Sequence, residues 1–196
     1  MSYYSGLLAN GGDLISALTM DGFVWRTSDA DANDVITCQT SFADTTPALI
    51  VQVPVNFWLI PIEVCFGQAG TVGTGPLTLI VERDNIAKRG SAGTAELQVN
   101  CNQKFASATQ SAVVYTGATG TAGYGMRLMG KQIGADVDTA EGVDTEYLWT
   151  PNGIELIGGS ATVGGSLVCY LFSAGGTGPT VYWGAKYAVC PIEMFS

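Results

Sequence analysis

The last long apolar run of the chain, TVYWGAKYAV at residues 180–189, alternates without a break. Val181, Trp183, Ala185, Tyr187 and Val189 fall on one face of an extended chain; Tyr182, Gly184, Lys186 and Ala188 fall on the other. Successive side chains of a β-strand point to opposite faces, so this period marks a strand with a buried side. PLTLIVERD (76–84) repeats it, with Leu77, Leu79 and Val81 opposed to Thr78, Ile80 and Glu82. SLVCYLFS (166–173) is apolar on both faces and needs cover on both, from the domain's own core or from a neighbouring subunit. Similar runs fall near 22–26, 35–42, 48–53, 56–67, 94–101, 111–116, 123–131, 145–149 and 153–157. Between them lie short stretches of turn-forming residues such as GATGTAG, GGSATVGG and SAGGTGP. Only DLISALTM (13–20) carries two turns of helical pattern.

No proline-rich linker or change of composition divides the 196 residues. The expectation is an all-β chain: a jelly-roll-like β-sandwich of about 8–12 short strands in one domain over 21–196. An extended arm, residues 1–20, precedes it. The arm carries Tyr3, Tyr4, Leu7, Leu8, Leu14 and Ile15 among glycines and polar residues. It is too broken to form a core of its own, so these six side chains are expected to pack on a partner or a neighbouring subunit.

Charge narrows the function. Only 13% of residues are charged, against about 25% in ordinary soluble domains. Eight Lys and Arg against seventeen Asp and Glu leave a net charge of −9. The first basic residue is Arg26, and no basic run exceeds Lys88-Arg89. Phosphate contact needs clustered Lys and Arg, which argues against nucleic acid as a partner. The most apolar window, PALIVQVPVNFWLIPIEVCF (47–66), is interrupted by Pro47, Pro54, Pro61, Gln52, Asn56 and Glu63. It reads as two consecutive buried strands, and the start of the chain lacks the pattern of a secretory leader, so a soluble protein is expected.

Common catalytic arrangements are missing. With no histidine there is no Ser-His or Cys-His pair, and neither GxSxG nor SxxK occurs. The glycines at 67, 70, 73 and 75 precede Pro76 and a strand rather than a helix, and no Lys-Ser/Thr pair follows. That loop reads as a hairpin tip, not a phosphate cradle. Glu63, Glu82, Glu96, Glu155 and Glu193 sit in or beside strands and are taken as solvent-facing; the alternative is a carboxylate pair for glycoside cleavage. In DADAND, Asp29, Asp31 and Asn33 stand at the first three ligand positions of a calcium loop, but Asp34 replaces the glycine and Thr40 the bidentate glutamate. A second acidic stretch, Asp136 to Glu146, fits that pattern worse. No cofactor is called for, and the acids are read as solvated loops. Cys38, Cys65, Cys101, Cys169 and Cys190 are odd in number and widely spaced, with no CxxC pair, and are read as buried thiols, one disulfide being the alternative. Trp25, Trp58, Trp149 and Trp183 are read as core, with a sugar site as the alternative.

The opening SYYSGLLANGGDLISALTMDGFVWR leads irregularly into the β-domain, and TVYWGAKYAVCPIEMF closes it with an aromatic strand and a short exit tail. With the Gly/Thr/Ala loops and the missing catalytic residues, the chain resembles the small jelly-roll capsid and decoration (cement) proteins of viruses, above all of tailed bacteriophages. The resemblance implies a non-enzymatic structural protein that clamps a shell. It implies a homotrimer on the capsid exterior of the virion, bound to the major capsid protein and made in the host cytoplasm. Genome-enclosing members commonly carry a basic arm, which this chain lacks, so the external role is favoured. A shell-forming major capsid protein and a carbohydrate-binding or adhesin module of a spike or appendage remain the alternatives.

Overall fold

The computed structural model describes residues 13–29, 35–69, 76–123, 125–133, 146–173 and 178–195. Helix α1 (Leu14–Met20) is followed by β1 (Val24–Ser28), β2 (Ile36–Thr37), β3 (Leu49–Val53), β4 (Phe57–Gln68) and β5 (Leu77–Asp84). Then come β6 (Arg89–Ala95), β7 (Val99–Asn100), β8 (Val113–Gly120), β9 (Met126–Ile133) and β10 (Glu146–Trp149). The chain closes with β11 (Ile157–Gly158), β12 (Gly165–Ser173) and β13 (Thr180–Pro191). It is an all-β sandwich. One sheet runs β10-β4-β13-β1-β7, with β11 paired to β4 and β2 to β13; the other runs β6-β8-β3-β12-β5-β9.

Eight of these strands pair in a nested order. Taken along the chain as β1, β3, β4, β5, β9, β10, β12 and β13, the first pairs with the eighth and the second with the seventh. The third pairs with the sixth and the fourth with the fifth. All four pairings are antiparallel, and β13·β4 and β12·β5 complete the two sheets. Every connection among the eight crosses from sheet to sheet except β5 to β9, which carries β6, β7 and β8. The glycine-rich stretch after β4 therefore joins two sheets; it is not a hairpin tip. Alternation in a strand records which face is buried but not which sheet the strand joins, which is why the sequence misplaced this loop.

The described residues flanking 30–34, 70–75, 134–145 and 174–177 lie at one end of the sandwich. Val181 pairs with both Gln68 and Ile36, Leu77 with both Ser173 and Ile133, and Glu146 with Gly67. Pro61 interrupts β4 where it does least harm. It falls between the stretches of β4 that pair with β10 and β11, beside the register shift against β13.

The main core fills the space between the sheets. Leu77, Leu79 and Val81 of β5 meet Leu167, Cys169 and Leu171 of β12, and opposite them lie Val181, Trp183, Ala185, Tyr187 and Val189 of β13. The other face of β12 is covered by this chain itself. Val168 and Tyr170 join Ile50, Ile80 and Ala118 under Phe42, whose ring meets that of Tyr170 edge-on at 5.2 Å. A third cluster lies outside the first sheet, where Leu14 and Leu18 of α1 cover Val24, Ile60, Ala188 and Cys190.

The sequence dictates α1 locally. Asp13 caps it, accepting from the Ser16 N–H at 2.9 Å and the Ser16 hydroxyl at 2.5 Å, and these bonds hold its carboxyl below the ordinary value. Gly22, at φ +81, ends it, allowing the Phe23 N–H to reach back to the Leu18 carbonyl at 2.8 Å.

Backbones of the two sheets touch where β11 meets β12. A Cβ on Gly165 would stand 2.6 Å from the Gly158 Cα, whereas one on Gly67 would meet nothing within 4 Å. Gly165→Ala is expected to cost about 3 kcal/mol, the upper part of the overpacking range, because backbone rather than a flexible side chain must move. Gly67→Ala is expected to change stability by less than about 0.5 kcal/mol. Urea midpoints of the two variants make the comparison; equal midpoints would refute the close approach.

Candidate functional sites

Of the side chains expected at an interface, Tyr3, Tyr4, Leu7 and Leu8 lie outside the described residues. Leu14 does not face a partner: it is 2% exposed, buried in its own chain with Leu18, and Ile15 is half-buried against the same cluster. Residues 14–20 are thus a docked helix and not part of an extended arm. The i, i+4 spacing of Leu14 and Leu18 was visible in the sequence; the apolar patch awaiting them on β4 and β13 was not. Of the calcium candidates, Asp31 and Asn33 lie outside the described residues, as do Asp136 to Asp144. Asp29 follows β1 and is half-buried, its N–H donating to the Trp183 carbonyl at 3.4 Å. Among the described residues no group of three or more His, Cys, Asp or Glu is placed to hold a metal ion, and no helix is long and apolar enough to cross a membrane.

Two of the five glutamates are not solvent-facing. Glu82 is 3% exposed and Glu96 is buried against the Thr116 hydroxyl, which donates to its Oε1. Glu82 belongs to a charged network on the outer face of β5. Lys88, fully buried after the turn that leaves β5, places Nζ 3.6 Å from Asp84 Oδ2 and donates to the Gly123 carbonyl. Its N–H donates to Ser166 Oγ at 3.0 Å, and that hydroxyl donates to the Ile86 carbonyl at 2.9 Å. The Gly123 N–H donates to Asp44 Oδ2 at 2.7 Å, the Gly120 N–H to the Thr45 carbonyl at 2.9 Å, and the Tyr170 hydroxyl to the Asp44 carbonyl at 3.0 Å. Three loops are tied together through one lysine that solutes cannot reach. The network anchors; it does not present a nucleophile.

Burial pushes the Glu82 carboxyl above its ordinary value, opposed by Arg127 at 4.0 Å. A carboxyl raised on folding binds more protons folded than unfolded. Its contribution is therefore complete below the unfolded value of about 4.5 and declines as pH rises through the folded one. Glu82→Gln should remove that decline: relative to the variant, the native chain is expected to lose stability as pH increases above 4.5. Urea titrations across this range test the sign, and an opposite slope would contradict it.

No disulfide joins the five cysteines. Cys38, Cys169 and Cys190 are buried, and burial pushes the Cys38 and Cys190 thiols up to about 12, far from thiolate chemistry. Trp25, Trp149 and Trp183 sit in the main core and offer no sugar platform, while Trp58 is half-buried against Gly159.

One cleft, about 580 Å³, opens where the sheets part beside β2. Thr37 and Gln39 form one wall, Thr94 of β6 and Thr116 of β8 the other, and Pro47 and Leu171 lie between them. Among the described residues none that lines it is ionisable. Its first wall is held firmly: the Cys38 N–H donates to the Pro179 carbonyl at 2.9 Å, and the Gln39 N–H to the Leu171 carbonyl at 3.0 Å.

No family model, no curated protein and no solved structure matches the chain.

Proposed function

We propose that the chain is a non-enzymatic structural subunit of a virus particle, a decoration or cement protein that binds the outside of the shell, contacts the major capsid protein and stabilises capsomer junctions as a homotrimer. The observation that carries the reading is the nested pairing of eight strands, first with eighth through fourth with fifth. We take this as the order of a jelly roll, an architecture of viral capsid and lectin domains. The net charge of −9 and the low content of charged residues support a place outside the shell, against protein rather than against genome. Such a subunit acts by burying area across joints, which needs no reactive group.

The test is the solution mass of the purified chain by light scattering, followed by electron microscopy of any large species. A closed trimer would have about three times the 20.4 kDa of one chain. Large uniform particles would replace the reading by a shell-forming capsid protein. A monomer at every concentration, with no binding to capsids, would overturn it.

A further inference from the structure

We infer that Asn152-Gly153 is a modification site, at which the chain deamidates without an enzyme, through a cyclic imide, to aspartate and isoaspartate. The pair lies in the loop 150–156 that joins β10 to β11. Asn152 and Gly153 are both exposed. Among the described residues, neither the Asn152 amide nor the Gly153 N–H is held by a hydrogen bond. Gly153 stands at φ +103, a conformation that glycine adopts freely, and a Cβ there would meet nothing within 4 Å. Its peptide nitrogen therefore has room to swing onto the neighbouring side chain.

The reaction needs only water. The Gly153 nitrogen gives its proton to hydroxide and attacks Asn152 Cγ. The N–Cγ bond forms, the Cγ–Nδ2 bond breaks, and ammonia leaves with a proton taken from water. Water then opens the ring. Cleavage of the new N–Cγ bond gives aspartate. Cleavage of the bond to the main-chain carbonyl carbon of Asn152 gives isoaspartate, with the chain continuing through the former side chain. Nucleophile and electrophile belong to adjacent residues, so the attack is unimolecular.

Other positions are held back. Asp21-Gly22 could close the same ring, but the Gly22 N–H donates to the Thr19 carbonyl at 3.1 Å and the Phe105 ring packs against Gly22. Asn100 is buried and donates to the Gly22 carbonyl at 2.6 Å, and Asn102 donates to the Met20 carbonyl at 2.9 Å. Asn56 and Asn85 precede Phe57 and Ile86, whose side chains crowd ring closure. The second Asn-Gly pair, Asn10-Gly11, lies outside the described residues. The product gains a carboxylate in the loop where Glu155 pairs with Arg83 at 3.3 Å. The pairings of β10 and β11 to β4 lie outside the altered peptide, so the fold survives the change. The inference does not depend on the shell-binding role.

The experiment uses the full chain carrying Asn10→Gln, which silences the first pair. It is incubated at mildly alkaline pH, native or unfolded in guanidinium chloride, then digested at acidic pH and mapped by mass spectrometry. Labelling by an isoaspartate methyltransferase with S-adenosylmethionine identifies the isoaspartate. A loop that opens at almost no cost should convert at residue 152 within about fivefold of the unfolded rate, and faster as pH rises. Isoelectric focusing should show an acidic species that accumulates in the native chain. Asn152→Gln, which must close a larger and slower ring, should remove that species while keeping the native urea midpoint, because the side chain it replaces is exposed and unbonded. Absence of conversion at residue 152, a native rate more than about fivefold below the unfolded one, or persistence of the acidic species after Asn152→Gln would overturn the inference.

Discussion

A chain that begins at residue 21 is expected to lose most of its stability. Leu14 and Leu18, 2% and 0% exposed, are the part of α1 that covers Ile60, Ala188 and Cys190. Removing one buried leucine costs about 2–5 kcal/mol, so losing two takes about 4–10 from a total that is usually 5–15. The deletion also leaves the covered residues of β4 and β13 open to water. Tryptophan fluorescence and far-ultraviolet circular dichroism in urea would report it, with Leu18→Ala as the milder version. If the chain starting at residue 21 unfolds like the full chain, α1 is not docked in solution. A chain starting at Asp13 probes the remaining part of the arm: if Tyr3, Tyr4, Leu7 and Leu8 join subunits, its solution mass should fall while its urea midpoint stays. The full deletion cannot separate assembly from folding, because its last seven residues belong to the fold.

Lys88→Ala is expected to cost about 3–5 kcal/mol, the usual price of leaving one member of a buried ion pair behind. The loss is local but threefold: Asp84 loses the cation 3.6 Å away, the Gly123 carbonyl loses its donor, and the stem of the lysine leaves a void. Removing both charges in Lys88→Met/Asp84→Leu should recover much of the loss, since a well-packed apolar pair often matches a buried ion pair. Urea midpoints of the single and double variants give the coupling. A small effect of Lys88→Ala would mean that water already reaches the site. By contrast, Arg83 and Glu155, 3.3 Å apart and each about one-third exposed, form a surface pair whose removal should matter little.

Much of the strand content was legible because alternation survives in the sequence. The run read at 48–53 is β3 at Leu49–Val53, and β12 and β13 begin and end within two residues of where the pattern placed them. β6, Arg89–Ala95, was not legible. Its sequence RGSAGTA has no apolar alternation, because it is an edge strand paired only to β8 and exposed along most of its length. Glu82 and Glu96 depart from the pattern in the opposite way, since glutamate in a strand ordinarily faces water. Here Glu82 is enclosed where the turn after β5 and the loop before β9 fold over the outer face, and Glu96 where Thr116 closes on it.

Taken alone, the sequence determined that the chain is built of strands, that Val181, Trp183, Ala185, Tyr187 and Val189 share a buried face, and that the common histidine-dependent catalytic pairs are absent. These properties depend on residue type and on a period of two, both of which a linear chain displays. Tertiary structure alone decided which strands became neighbours, where Leu14 found its partners, how Lys88 came to lie among carboxylates, and that Thr37, Gln39, Thr94 and Thr116 line one cleft. Each of these joins positions far apart in the chain, and the energy of such contacts depends on burial and distance, which no local pattern encodes.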